Sequence, residues 1–197
     1  MWHSCVDSQL LRYSRDCAQA LLGSEAPQAL ARSQRAAQQA ATAVALLGRP
    51  RGEVIVSSAW LHAIGESPSI RTTGFTPVDG AVYLLAEGWP TPVINLVAHQ
   101  GQARLIAPAF DAVERLALFE RIQGWPSDIL DYAITTSLPD DIDPDPEACL
   151  RLAAKGLPAT LRITARDRAE RERRLRRAVD RVSAATIAAR SPAHSVT

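Results

Sequence analysis

The sequence Ala-Trp-Leu-His-Ala-Ile-Gly at residues 59–65 decides the fold of this chain. It completes an apolar run that begins at Val54, and Gly65 stands directly after that run. A glycine at such a place is typical of a helix end. The β-branched residues at the start would also suit a strand, but the twelve residues of 53–64 are long for a strand and favour a helix. We therefore predict a buried central helix over 53–64.

Apolar spacing and turn residues predict further helices on both sides of this one. Upstream, one helix covers 6–22, and another begins near Ser24 and Pro27 and ends at Gly48. Downstream, loops are expected at 66–76 and 138–146 and a frayed tail at 191–197. The remaining predicted helices are 78–87, 91–99, 109–122, 127–136, 147–155 and a long charged one at 160–189. The pattern indicates an all-α fold.

Composition sets limits on the class of protein. The chain has 197 residues, of which 47% are apolar and 5% aromatic, enough for one packed helical domain. Its net charge is +1, and its three cysteines form neither a Cys-X-X-Cys pair nor an even disulfide set. The sequence shows no signal peptide and no apolar run long enough for a bilayer. We expect a cytoplasmic protein that does not bind membranes.

A second motif, Gly-Phe-Thr-Pro-Val-Asp-Gly-Ala at 74–81, follows the first. Together the two motifs resemble the core of the HD-domain metal-dependent phosphohydrolases, and the resemblance extends over about 29–137. It implies an HD-like helical bundle at 24–158, preceded by an extra N-terminal helix within 1–23. A charged C-terminal helix at 159–190 would pack on the bundle, before a disordered tail at 191–197. In that family, histidines and aspartates from separate helices hold divalent metals that activate water to attack a phosphate.

The residues that carry metal in the family are changed here. Structural positions such as Gly65, Gly74, Pro77 and Gly80 still match the family pattern, and His62 is the only ligand-type residue retained. The five altered ligand positions are Arg32, Ala63, Thr76, Gln100 and Ala133. The resemblance thus implies the HD fold without its usual metal site.

We therefore predict a pseudoenzyme, an HD-like protein that binds a ligand or partner through the former metal cavity and requires no cofactor. Arg32 could bind an anion or extend to solvent, His62 could be a hydrogen-bonded core residue, and Asp79 could cap amide groups at a helix start. The binding partner would be a small anionic ligand or a protein. The candidate ligand-binding residues are Arg32, His62, Thr76, Asp79, His99 and Gln100.

The alternative is an active phosphohydrolase of nucleotides or small phosphate esters, using Mn, Fe or Mg in a rearranged site. It requires His62 and His99 to meet a carboxylate such as Asp79 or Asp131.

The arginine-rich stretch at 162–181 offers a different function. Its nine arginines could contact phosphates, but four acidic residues are interleaved at the spacing of helix ion pairs. This favours a solvated amphipathic helix over a nucleic-acid-binding one. The cysteines lie in no nucleophile motif, so a catalytic thiol is not expected.

Overall fold

The computed structural model describes residues 9–48, 52–137, 148–151 and 161–190. All regular secondary structure within these ranges is helical, which confirms the predicted all-α class. The α-helices are α1 (Gln9–Leu22), α2 (Pro27–Leu47), α3 (Gly52–Leu61), α4 (Thr76–Ala86), α5 (Thr91–His99), α6 (Val113–Leu116), α7 (Trp125–Thr136), α8 (148–151) and α9 (Ala165–Arg190). Three 3-10 helices lie between them, at Ile64–Glu66, Gln100–Leu105 and Ala107–Phe110.

Helix α3 lies at the centre of the fold, as predicted. It packs against α1, α2, α5 and α7, so it is enclosed on several sides. Its side chains Ile55, Ala59 and Leu61 are buried. The facing side of α2 is rich in alanine, with Ala36 and Ala40 fully buried. Small side chains on that face let the backbones of α2 and α3 approach closely.

A close backbone contact fixes the chain after α3. A Cβ added to Gly65 would lie 2.2 Å from the carbonyl oxygen of Thr76 and 2.8 Å from the amide nitrogen of Gly80. Both atoms belong to the backbone of α4, so neither can move aside as a flexible side chain would. Glycine at this position therefore allows the 3-10 helix Ile64–Glu66 to pack on α4.

Helix α9 packs along α7 and on the 3-10 helix Gln100–Leu105. Its inner face buries Leu175, Val179 and Val182, as the sequence predicts for an amphipathic helix. On its outer side, the Arg181 guanidinium lies 4.1 Å from the Trp125 ring centroid. α9 is thus a structural part of the bundle.

The predicted helix at 109–122 is wrong. The chain forms the short helices Ala107–Phe110 and Val113–Leu116 there, with Asp111 left-handed at φ +50° between them, and residues 117–124 are not helical. The carbonyl oxygen of Phe119 accepts a hydrogen bond from the His99 ring instead of a helical amide, and the Phe119 side chain is buried. Tertiary contacts here override a favourable local helix pattern.

Several predicted boundaries also shift. Helix α3 ends at Leu61, and the 3-10 helix that follows includes Glu66, which was assigned to a loop. Helices α4 and α7 each begin two residues earlier than predicted, with Pro77 and Pro126 in their first turns. The helix Gln100–Leu105 was not predicted. The loop at 138–146, most of the helix at 147–155 and the tail at 191–197 fall outside the described residues.

Of the helices described, none has both the length and the apolar composition needed to cross a membrane.

Candidate functional site

The six predicted site residues lie on α2 and at the ends of three other helices. Arg32 is on α2, and His62 directly follows the last residue of α3. The first turn of α4 carries Thr76 and Asp79. His99 ends α5 and Gln100 begins the next 3-10 helix. The fold brings some of these residues into contact and leaves others apart.

Arg32 forms a bidentate ion pair with Glu66. One guanidinium nitrogen, Nη2, donates to both carboxylate oxygens at 2.7 Å. Each side chain is 39% exposed, so water screens the pair. The prediction that Arg32 either binds a ligand or extends to solvent missed this partner, which lies 34 residues away in sequence.

His62 is a buried, neutral histidine. Its Nδ1 donates to the carbonyl oxygen of Ala59 at 2.8 Å, since a carbonyl can only accept. Burial lowers the pKa of His62 to about 4, although the hydrogen bond to Ala59 and the carboxylate of Glu66 oppose that change. The ring is therefore uncharged near neutral pH.

Gln100 joins the end of α5 to the end of α3. Its Nε2 donates to the backbone carbonyl oxygen of His62 at 2.6 Å, and both residues are buried. Two of the predicted site residues are thus in direct contact. The contact is structural, because it uses the backbone of His62 and leaves the imidazole to bond with Ala59.

His99 faces a different part of the chain. Its Nε2 donates to the carbonyl oxygen of Phe119 at 2.8 Å. Its Nδ1 is buried and has no hydrogen-bond partner among the described residues. Burial lowers the pKa of His99, and the nearby charge of Arg121 lowers it further. The ring is neutral and anchors the non-helical segment that replaces the predicted helix.

Asp79 organises the loop before α4. One carboxylate oxygen accepts from the hydroxyls of Thr72 and Thr73 and from the Thr73 amide, each at 2.8 Å. The other oxygen accepts from the Gly74 amide at 2.9 Å. The carboxylate therefore binds amides of the preceding loop, whereas the sequence suggested the amides of a helix start. Both oxygens are engaged within the protein.

The other altered positions contribute little polar chemistry. Ala63 and Ala133 are buried in the apolar core. The side chain of Thr76 is half-buried, and its hydroxyl makes no hydrogen bond within the part of the chain that the structure describes. Its backbone oxygen is the atom closest to Gly65. Thr76 therefore acts in the fold mainly through its backbone.

Asp131 is the most perturbed carboxylate of the described residues. It is 1% exposed and accepts hydrogen bonds from the Gly101 amide at 2.7 Å and from Gln102 Nε2 at 2.6 Å. Burial raises the pKa of Asp131 to about 6, while these two hydrogen bonds and the charge of Arg171 oppose the rise. Arg171 itself donates from Nε to the carbonyl oxygen of Gly101 at 2.9 Å.

The sequence interpretation considered Asp131 only as a ligand of a rearranged metal site and missed Gln102 and Arg171. The available signal was a single carboxylate inside the apolar run of α7, where a buried charge requires partners. Gln102 gave no such signal. It adopts φ +60°, a left-handed conformation that is uncommon for a residue other than glycine, asparagine or aspartate.

The donor set does not fit a divalent metal. Among the described residues, no group of three or more His, Cys, Asp or Glu side chains stands where it could hold a metal ion. His62, His99 and Asp131 are therefore not brought together as the rearranged site requires, and Asp79 does not complete a set with them. A catalytic zinc-type site needs about three protein ligands.

The two cysteines within the described residues also lack the features of a nucleophile. Burial raises the pKa of Cys17 to about 11, helped by Glu87 and opposed by a hydrogen bond with Tyr83. A thiol of that pKa stays protonated near neutral pH. Cys149 is buried and in the reduced form.

A groove of about 370 Å³ lies elsewhere, between α8 and α9. Its walls are mostly apolar, with Leu150 and Leu175 among the lining residues and two arginines of α9 at its edge. None of the six predicted site residues lines it. The groove is therefore separate from the predicted site.

Comparison of the chain with protein-family models, with curated proteins and with solved structures gives no match. The resemblance to HD-domain phosphohydrolases stays a prediction from the sequence motifs.

Proposed function

We propose that this chain is an HD-like protein that lacks metal-dependent phosphohydrolase activity and acts by binding a ligand or a protein partner in the cytoplasm. One observation carries the proposal. Of the three polar side chains at the altered metal positions, two already bond within the chain, Arg32 with Glu66 and Gln100 with the His62 carbonyl.

These internal contacts leave little for a metal to bind. Metal-assisted hydrolysis needs several anionic or imidazole ligands around one ion, with an open position for water. Arg32 brings a positive charge to one expected ligand position and buried alanines occupy two others. Both oxygens of Asp131 accept hydrogen bonds from the protein. A metal would have to break these contacts before it gained any ligand.

A binding role is compatible with the same residues. The Arg32 guanidinium is partly exposed and already holds a carboxylate through one of its nitrogens. Its other guanidinium nitrogens form no hydrogen bond within the described residues, so the fork with which arginine binds carboxylate and phosphate groups is only partly used. An anionic ligand or an acidic side chain of a partner protein would compete with Glu66 for it.

Metal analysis combined with an activity assay tests the proposal. The full chain is incubated with Mn²⁺, Fe²⁺ or Mg²⁺ and desalted, its metal content is measured, and hydrolysis of p-nitrophenyl phosphate and bis(p-nitrophenyl) phosphate is followed. We expect much less than one ion per chain and no metal-dependent hydrolysis. We also expect no rise in the thermal midpoint, because a metal bound to the folded state would raise it.

The variant His62→Asn serves as the control for adventitious metal. Metal that remains in the variant is not held at the predicted site. Stoichiometric metal and metal-dependent hydrolysis that are both lost in His62→Asn would overturn the proposal.

A further inference from the structure

Three arginines from separate parts of the chain lie close enough for their charges to interact. We call Arg104, Arg121 and Arg174 the arginine cluster. Arg104 is on the 3-10 helix Gln100–Leu105, Arg121 lies in the non-helical segment before α7, and Arg174 is on α9. Residues so far apart in sequence come near one another only because the fold brings their segments together.

Two hydrogen bonds hold these segments in place. Arg171 on α9 donates to the carbonyl oxygen of Gly101 at 2.9 Å, which fixes α9 against the Gln100–Leu105 helix. His99 donates to the carbonyl oxygen of Phe119 at 2.8 Å, two residues before Arg121. The arrangement of the three backbone segments therefore does not depend on the guanidinium groups of the arginine cluster.

The acidic residues near the arginine cluster compensate its charge only in part. Glu170 pairs with Arg174, and Asp131 and Asp128 attract the charge of Arg121. Glu170 is shared, because its two oxygens bind both Arg173 and Arg174 at 2.6 Å. Asp131 is buried and bonded to backbone and amide groups, and Asp128 pairs with Arg181.

Arg104 and Arg121 form no ion pair or hydrogen bond within the described residues. Arg104 is exposed and Arg121 is half-buried. The pKa of Arg121 is lowered, first by burial and then by the neighbouring charges of Arg104 and Arg174. The positive charges are thus close enough to repel one another, and an anion placed among them would relieve the repulsion.

We propose that the arginine cluster is a binding site for the phosphate groups of a small phosphorylated ligand. Guanidinium groups match phosphate oxygens with paired hydrogen bonds. The site lies outside the six residues predicted from the motifs, and it does not depend on whether the chain has lost metal-dependent hydrolysis.

A compact phosphate ligand fits better than a nucleic acid. Binding along a nucleic-acid backbone needs a basic track that contacts several successive phosphates. Along α9, ion pairs with Glu170 and Glu172 engage Arg173 and Arg176, and these acids interrupt such a track. The uncompensated charge is local, so it suits one or two phosphate groups.

Calorimetric titration of the full chain with inorganic pyrophosphate at low ionic strength tests the proposal. The variants Arg104→Gln and Arg121→Gln each remove one charge that has no ion pair, so both should fold. Because a hydrogen bond to a charged group is worth about 1.5–3 kcal/mol, we expect each variant to weaken binding about tenfold or more. Arg104→Lys should retain part of the affinity, because it keeps the charge and loses the paired hydrogen bonds.

The matched control is Arg12→Gln. Arg12 is exposed on α1, which packs against α2, α3 and the Ile64–Glu66 helix, and the substitution makes the same change in net charge. It should leave pyrophosphate binding unchanged. Absence of pyrophosphate binding to the full chain would overturn the proposal, as would an equal loss of affinity in Arg12→Gln.

A short single-stranded oligonucleotide, titrated in parallel, tests the alternative that the arginine cluster binds nucleic acid. The site would be a nucleic-acid surface, contrary to the proposal, if the oligonucleotide bound more tightly than pyrophosphate and lost affinity in Arg104→Gln and Arg121→Gln. Metal content is not a readout of this experiment. Its result and the test of lost hydrolysis are therefore distinguishable.

Discussion

The buried carboxyl group of Asp131 should make the free energy of unfolding depend on pH. Its carboxyl group has a pKa of about 6 in the folded protein, against the usual 3.8. The folded state therefore holds the proton more tightly than the unfolded state between about pH 4 and pH 6. The stabilisation from this proton is fully present below about pH 4 and is lost as the pH rises through 6. A tenfold change in proton affinity corresponds to about 1.4 kcal/mol, so the loss amounts to about 3 kcal/mol.

Measurements on the wild-type protein alone would not reveal the contribution of Asp131. His62 has a folded pKa of about 4 against 6.5, so the folded state binds its proton less tightly than the unfolded state. Its contribution is fully present above about pH 6.5 and is lost as the pH falls toward 4. It also amounts to about 3 kcal/mol and has the opposite sign over nearly the same pH range. The two groups therefore largely cancel in the wild-type protein.

The variant Asp131→Asn separates the contribution of Asp131 from that of His62. Its amide oxygen can accept from the Gly101 amide, and the Gln102 side chain can turn its own oxygen toward the new NH₂ group. Urea unfolding followed by circular dichroism gives the free energy of unfolding of both proteins from pH 4 to pH 7. The value for wild type minus that for the variant should fall by about 3 kcal/mol across this range, since His62 contributes equally to both.

Ile129→Val is the matched control. Ile129 is buried on the same helix, and the substitution removes a methylene group and no titratable group. Its cost of about 1 kcal/mol should be the same at every pH. A difference between wild type and Asp131→Asn that stayed constant, or increased with pH, would refute the reasoning. It would mean that the hydrogen bonds and the charge of Arg171 outweigh the cost of burying the carboxylate.

Other substitutions test the contacts around the predicted site, with urea unfolding as the measurement. Gly65→Ala should lower the free energy of unfolding by about 3 kcal/mol or more, because the new methyl group meets backbone atoms. Gly48 is left-handed but lies in open space, so Gly48→Ala should lower it by only about 1 kcal/mol. Equal costs for the two variants would contradict the close contact at Gly65. Arg32→Gln should lower the free energy of unfolding by less than about 1 kcal/mol, because its ion pair with Glu66 is partly exposed. A double-mutant cycle with Glu66→Gln should give a coupling energy of the same size. A coupling energy of several kcal/mol would show that the pair is shielded from water. The free energy of unfolding of wild type minus that of His62→Asn should fall by about 3 kcal/mol as the pH falls from about 6.5 to 4, since only wild type has a buried imidazole that must gain a proton. A difference that stayed constant with pH would show that His62 is not the cause.

The sequence predicted the features that local chemistry determines. An apolar run followed by Gly65 indicated the buried helix α3, and apolar spacing with turn residues indicated α5 at 91–99, the bounds that the structure has. The interleaved acids of the last helix indicated ion pairs at helical spacing, and Glu170 forms them with arginines three and four residues away. These inferences need only the neighbours along one helix.

The sequence could not predict the features that depend on packing between distant elements. Arg32 and Glu66 are 34 residues apart, and Asp131 is 30 residues from Gly101. Helix propensity and spacing along the sequence do not predict contacts between residues so far apart. The helix predicted at 109–122 failed for the same reason, because the Phe119 carbonyl bonds to His99 from another element. The positions of the candidate site stay a prediction from the sequence motifs, and the hydrogen bonds found there could not have been predicted from them.

The polar side chains around the predicted site join the ends of separate helices. Gln100 ties α5 to the end of α3, Asp131 ties α7 to the Gln100–Leu105 helix, and Arg32 ties α2 to the Ile64–Glu66 helix. Each contact is a hydrogen bond between two elements of the chain. The packing of Gly65 on α4 involves backbone atoms only, so it does not require a metal. Under the proposed HD-like ancestry, this explains why the structural glycines still match while the ligands are lost. The bundle's stability then depends on internal hydrogen bonds, and its surface residues can change toward ligand binding without loss of the fold.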